Sequence, residues 1–195
     1  MNHPSDQYYI NQVIEGNVNA FSVLVERYKV IVYTVVFRMV KNKEQAEEVA
    51  QDSFIKAFES LGTYRGDAKF STWLYVIAYR KSLDAIKANK RIMTSELIEE
   101  ISESEIGLVG DALSFLQAKE KKEIISNSIM KLPADEAAIV TLYYFEEKSV
   151  KEIVEIVGLT ANNIKIKLYR SRKKLYSILK YHISIEISDK NGRAI

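Results

Sequence analysis

Two adjacent asparagines, Asn162 and Asn163, stand ahead of Lys165, Lys167, Arg170, Arg172, Lys173 and Lys174. These side chains make and break no covalent bonds; their chemistry is recognition. An asparagine amide pairs with adenine on its major-groove edge, and Lys and Arg pair with phosphate. From Lys165 to Lys180 there are seven basic residues and no acid. A solvated helix of an all-α bundle is the plain alternative, but such a helix usually mixes signs to gain pairs three and four apart. The missing acids, and an Asn pair that is poor inside helices, favour duplex DNA as the target. No nucleophile–base pairing, phosphate-cradling loop or metal cluster appears anywhere, and His3 and His182 lie in the terminal regions. No catalytic, metal or cofactor site is therefore expected.

Presenting those residues needs a particular pair of helices. Ser149 and Glu152 form a capping box, which starts a helix at Val150. Ile153, Val154, Ile156 and Val157 give it an apolar side, and Gly158 ends it in the left-handed conformation. Leu159 is expected to be buried between the two helices, and Thr160 to cap the second. There Ile164, Leu168, Ser171, Leu175 and Ile178 recur at steps of three and four as an inward seam. Asn162, Asn163, Lys165, Lys167, Arg170, Arg172, Lys173 and Lys174 then face out. A short helix, a glycine turn and a longer basic helix make a helix-turn-helix.

With 195 residues, 47% of them hydrophobic, the chain can fill one or two cores. Two prolines and seven glycines point to long helices and an all-α fold. The absence of cysteine excludes disulfides and thiolate zinc sites and suits a reducing cytoplasm. The start, MNHPSDQYY, lacks an apolar signal core, and no apolar run is long enough to span a membrane.

The net charge of +2 hides a pattern. Residues 1–92 carry 13 Lys/Arg against 10 Asp/Glu, residues 93–118 none against 6, and residues 119–195 15 against 10. The middle segment reads as an acidic linker that reaches roughly 85 Å when extended. It divides the chain into a first helical domain, 1–92, and a second, 119–180, with a tail at 181–195.

In the first domain, residues 5–15 are expected to form a helix that stops at Gly16, and Asn17 or Asn19 to cap a long buried one over 20–40. A helix over about 44–60 has a small-residue side (Ala46, Val49, Ala50, Ser53, Ala57) and a polar, mostly acidic side (Glu47, Glu48, Gln51, Asp52, Lys56, Glu59), finished by Phe54, Ile55 and Phe58. The loop LGTYRGDAKF sets Arg65 and Lys69 beside Tyr64. Ser71 or Thr72 is expected to cap the next helix, which buries Phe70, Trp73, Leu74, Ile77 and Ala78. That helix should carry a stripe of Arg80, Asp84, Lys87 and Arg91, with Tyr75 and Tyr79 on another exposed side. Aromatic residues among basic ones suit unstacked bases and phosphates. In the second domain a helix from Lys119 ends at Pro133, which opens another that packs through Ile139, Val140, Leu142, Tyr143 and Phe145.

Taken together, these segments resemble the extracytoplasmic-function sigma factors of bacterial RNA polymerase, in the sigma-70 family. AEEVAQDSFIKAFESL resembles the helix that binds core polymerase. TYRGDAKFSTWLYVIAYRKSLDAIKANKR resembles the loop and helix that melt and read the −10 element. KLPADEAAIVTLYYFEEKSVKEIVEIVGLTANNIKIKLYRSRKKL resembles the domain that reads the −35 element. The likeness covers about residues 5–180. Its one departure is Ala161–Asn162–Asn163, where the family more often has a Gly-Thr pair.

The resemblance implies a non-enzymatic factor that directs promoter-specific initiation. It implies core polymerase contacts at Glu47, Glu48, Gln51, Asp52 and Phe54. Contacts to the −10 strand fall to Tyr64, Arg65, Lys69, Trp73, Tyr75, Arg80 and Lys87. Contacts to the −35 duplex fall to Thr160, Asn162, Asn163, Lys165, Lys167, Arg170, Arg172 and Lys173. The implied partners are core RNA polymerase, promoter DNA as duplex and single strand, and an anti-sigma factor. A stand-alone helix-turn-helix regulator would account for residues 149–175 but not for the acidic-faced helix or the aromatic loop.

Overall fold

The computed structural model describes residues 4–89 and 118–192, and among them every regular element is helical. In chain order these are α1 (Asp6–Ile14), α2 (Phe21–Val40), α3 (Lys43–Glu59), α4 (Phe70–Asn89), α5 (Ala118–Met130), α6 (Ala134–Tyr144), α7 (Val150–Val157) and α8 (Ala161–Gly192). Short 3₁₀ turns at Val18–Ala20 and Leu61–Thr63 bend the chain into α2 and out of α3. The expected linker lies almost wholly outside the described residues, as does Arg91.

The starts and stops follow local chemistry. Gly16, at φ +103°, turns the chain after α1. Neither Asn17 nor Asn19 caps α2 through its side chain; the 3₁₀ turn feeds its backbone straight into the helix. At the α2–α3 corner Lys41 is left-handed, and Asn42 accepts from the Gln45 amide at 2.8 Å, which caps α3. Helix α4 begins at Phe70, ahead of both expected caps, with the Trp73 amide bonded to the Lys69 carbonyl. Ser71 and Thr72 are therefore buried inside its first turn.

The first domain packs α2, α3 and α4 around Leu24, Val32, Val35, Val36, Leu74 and Ala78. The small side of α3 does what its composition allows: Ala46, Val49, Ala50, Ser53 and Ala57 are all buried where other helices approach. In the second domain α5, α6, α7 and α8 close over Ile129, Leu132, Ile139, Leu142, Ile153, Ile164 and Leu168. Tyr143 and Phe145 are exposed, contrary to their expected packing role, because Ile139, Val140 and Leu142 already fill the inward stripe of α6.

Glu136, an acid in the first turn of α6, is buried. It is 6% exposed, accepts from the Ser171 hydroxyl at 3.2 Å, and holds the Lys174 ammonium at 3.0 Å. Lys174 therefore turns toward α6 and does not join the outward basic face. Glu136→Ala strips a buried cation and a hydroxyl of their acceptor. It should lower stability by about 1–3 kcal/mol in urea unfolding, and an unchanged midpoint would mean that the cluster contributes nothing net.

Candidate nucleic-acid interface

Three surfaces gather the residues singled out in the sequence. The first is the outward side of α3, where Glu47, Glu48, Gln51 and Asp52 are exposed and Phe54 is half-buried. Asp52 is not a lone charge, since the Lys81 ammonium of α4 lies 3.3 Å from its carboxylate. Lys81 is the member of this surface that the sequence reading missed; it stands 29 positions away and joins only when α3 and α4 pack. Ile55 and Phe58 stay exposed beside the acids, while Phe58 also meets the Phe21 ring edge-on. The surface therefore mixes carboxylates with apolar area, as a protein-docking face does.

The second surface is the loop before α4. Gly66, at φ +79°, supplies a turn that other residues rarely adopt. The Tyr64 hydroxyl donates to the Ala68 carbonyl at 2.7 Å, which closes the loop on itself. The Tyr64 ring packs against Phe70 and Trp73, with centroids 5.8 and 5.5 Å away. Burial, helped by Asp6 and Asp67, raises the Tyr64 phenol above its usual range and keeps it a neutral donor. Helix α1 braces this region from outside: Asp6 takes the Tyr28 hydroxyl and the Arg27 guanidinium, and Tyr28 meets Phe70 and Tyr75. Arg65 and Lys69 are left exposed on the rim, and Trp73 is half-buried between core and surface.

Along α4 the outcome divides. Arg80 and Lys87 are exposed, and Lys87 sits 4.0 Å from Asp84. Tyr75 and Tyr79 are not exposed: they are 1% and 5% accessible. Tyr75 donates to the Glu146 carboxylate of the second domain at 2.9 Å, and burial with that nearby charge pushes its pKa well above the ordinary phenol value. Tyr79 is pushed up to about 12, by burial first and by Asp135 second. The expectation of an exposed tyrosine side fails because the second domain covers it.

The third surface is α8 and the turn before it. Both halves of the capping box form: Ser149 Oγ accepts from the Glu152 amide at 3.2 Å, and the Glu152 carboxylate accepts from the Ser149 amide at 2.9 Å. That backbone hydrogen bond is the main reason the Glu152 carboxyl titrates below its usual range. Gly158 is left-handed at φ +73°, and Thr160 Oγ1 accepts from the Asn163 amide at 3.3 Å. Leu159 is half-buried against the core. Ile164, Leu168 and Ser171 are buried, Leu175 and Ile178 only partly, and Tyr176 completes the seam. Asn162, Asn163, Lys165, Arg170 and Arg172 are exposed, with Thr160 at the head of the same face. Lys167 is half-buried and paired with Asp135 at 2.6 Å, and Lys173 lies over the Tyr169 ring at 4.8 Å. A row of amide and cationic groups on one rigid, capped helix is geometry suited to a DNA groove.

Known families match this arrangement domain by domain. The sigma-70 region 2 model covers residues 24–92, and the sigma-70 region 4 model covers residues 122–175. The ECF RNA polymerase sigma factor SigW of Bacillus subtilis is 32% identical over 176 residues, spanning 85% of this chain and 92% of that protein. The chain belongs to the extracytoplasmic-function sigma factors of the sigma-70 family. The ECF sigma-E factor of Salmonella typhimurium is 31% identical, across 88% of this chain and 92% of its own. Among solved structures, CnrH in complex with the cytosolic domain of CnrY aligns with a TM-score of 0.64 at 21% identity, covering 91% of this sigma factor and 99% of CnrH. The sigma factor RpoE with the anti-sigma factor NepR from Bartonella quintana aligns at 0.63 and 15%, covering 82% and 96%. Those two likenesses speak to fold. The family is not one of enzymes, and among the described residues no helix is long and apolar enough to cross a membrane.

Proposed function

We propose that this sigma factor works in the cytoplasm and divides its labour among the three surfaces. The α3 face, with Glu47, Glu48, Gln51, Asp52 and Phe54, docks on core RNA polymerase. The loop and α4, through Tyr64, Arg65, Lys69, Trp73, Arg80 and Lys87, hold a single strand opened at the −10 element. Flipping a base out of the duplex costs a few kcal/mol, which the Trp73–Tyr64 ring pair and the rim cations offset by stacking and charge. Helix α8, from Thr160 and Asn162 to Lys173, reads the −35 duplex. Residues 93–118, purely acidic, run through a channel of the polymerase built for nucleic acid. An anti-sigma factor holds the protein between uses. Domains 1–92 and 119–180 are the units of this division, each carrying its own DNA-facing elements.

The observation that carries this reading is the coexistence, in one chain, of an acidic docking helix and two separate basic surfaces, one loop-and-aromatic and one helix-turn-helix. A regulator that only bound duplex DNA would have no use for the first two. Charge reversal on α3 tests it directly. Glu48→Lys with Asp52→Lys should weaken core binding at least tenfold in a fluorescence titration, with circular dichroism unchanged, because both side chains are exposed and the Asp52 contact with Lys81 is a surface pair of little worth. Asp52→Asn serves as a control that removes only the Lys81 pair, an exposed contact worth at most about 1 kcal/mol. Full core affinity in the charge-reversed protein would remove α3 from the docking surface.

A further inference from the structure

The two edges of α8 differ in what their cations touch. Lys167, Ser171 and Lys174 recur at steps of four and three, so they share one edge of the helix. All three are held by the first turn of α6. Lys167 Nζ lies 2.6 Å from the Asp135 carboxylate. Ser171 donates to Glu136 at 3.2 Å, and Lys174 Nζ reaches both Glu136 oxygens, at 3.1 and 3.0 Å. Lys165 and Arg172 stand two positions before Lys167 and Lys174, which is about 200° around the helix. On that far edge both are exposed, and neither forms an ion pair among the described residues.

We propose that Asp135 and Glu136 are positioning residues for promoter reading. They withhold Lys167 and Lys174 from the duplex, fix the roll of α8 about its own axis, and leave the phosphate backbone the Lys165–Arg172 edge to follow. The inference rests on the −35 role given to α8, and it takes Lys167 out of the DNA contacts expected for that helix.

An isolated surface pair would not hold a lysine against DNA, because such pairs contribute little. This clamp is not isolated. The Glu136 side chain is 8% exposed and its Lys174 partner 26%. Drawing Lys174 onto phosphate would leave a buried carboxylate without its cation, which is strongly unfavourable. Drawing Lys167 away would uncover a second carboxylate on the same edge, and that charge would repel the phosphate it was released to meet. Ser171 between the two lysines is fully buried, so rolling α8 would break all three contacts at once. Asn163 and Arg170, four and three positions from Lys167, neighbour it on the helix surface. Their place in the groove is therefore set from α6. Each withheld cation removes one sequence-independent contact, so the grip on duplex depends more on the asparagines and on the far edge.

Lysine acetylation read by mass spectrometry tests this on the full-length protein assembled with core polymerase. Promoter DNA should slow acetylation of Lys165 at least threefold and leave that of Lys167 as it was without DNA. Asp135→Asn should release Lys167: its acetylation without DNA should rise at least threefold, and promoter DNA should now protect it. The same variant should bind matched and unrelated upstream elements more tightly alike, with the slope of log affinity against log salt steeper by about one contact. Adding Lys167→Ala to Asp135→Asn should abolish that gain. An Asp135 that served only to hold the fold would instead weaken binding and leave the slope alone. Protection of Lys167 equal to that of Lys165 in the unaltered protein overturns the proposal, as does an Asp135→Asn slope no steeper than the original. The footprint of the unaltered protein needs no variant, so it decides the case even if Asp135→Asn folds poorly. If DNA protects neither lysine and Arg172→Ala leaves the slope unchanged, the −35 reading itself fails, and the proposal with it.

Discussion

Arg172→Ala is expected to weaken every promoter alike, and Asn163→Ala to change which upstream sequences work. Both residues are exposed on α8, but at different heights. Asn163 lies in the first turn, whose amide is already fixed by Thr160, and the N-terminal end of a recognition helix is the part that meets base edges. A good amide–base pair discriminates by about 1–3 kcal/mol, so Asn163→Ala should flatten a preference by roughly tenfold or more at one position. Its salt dependence should hardly move. Arg172 lies beyond two further turns, which in the proposed docking is where the helix would leave the groove and meet phosphate. Its loss should lower the slope of log affinity against log salt by about one contact. The measurement is both variants on a library of upstream elements at two salt concentrations. If the asparagine variant loses activity uniformly while the arginine variant alters preference, the helix is rotated from the orientation argued here.

Removing Arg65 and Lys69 together should impair strand opening far more than initial promoter binding. They are the exposed cations of the loop, and Tyr64 and Trp73 beside them offer aromatic surface. Base–aromatic stacking is worth about 1–3 kcal/mol per base, a sum close to the cost of flipping, so loss of the neighbouring charges should tip the balance by tenfold or more. Tyr64 is left intact, because its hydroxyl closes the loop on Ala68 and its ring is packed. Permanganate reactivity of the opened region reads the effect. Undiminished opening with both cations gone would reduce this segment to a connector. Lys69 also touches Glu152, so Arg65→Ala alone separates a strand-holding effect from the loss of that contact.

What could be read in the sequence was what is decided locally. The helix-turn-helix was legible because its parts lie within a few residues of one another: Ser149 with Glu152, Gly158 at the break, Thr160 at the next start. The small side of α3 was legible because five residues at helical spacing have one use. Tyr75 and Tyr79 were misplaced because what buries them is 71 residues away in the case of Glu146 and comes from the other domain. Periodicity on α4 could show that they share a side, not that a second domain covers it. The burial of Glu136 was overlooked for the same reason, its partners Ser171 and Lys174 lying 35 and 38 positions on. Beside Asp135 in the first turn of α6 it has a local use as an acid at a helix start, which masks its pairing with α8. The caps expected at Ser71 and Thr72 lie two and three residues past Lys69, which precedes the first helical residue; helix ends are the part of a pattern that local sequence places least sharply.

Run-off transcription with purified core polymerase tests the central claim most directly. Core alone should initiate only at ends and nicks. Core with this sigma factor should give discrete transcripts from a subset of genomic promoters that share spaced upstream and downstream elements, and should do so only when both domains are present in one chain. If core plus the protein yields no more specific initiation than core alone on any genomic promoter, the three surfaces are not the docking, melting and reading elements described here.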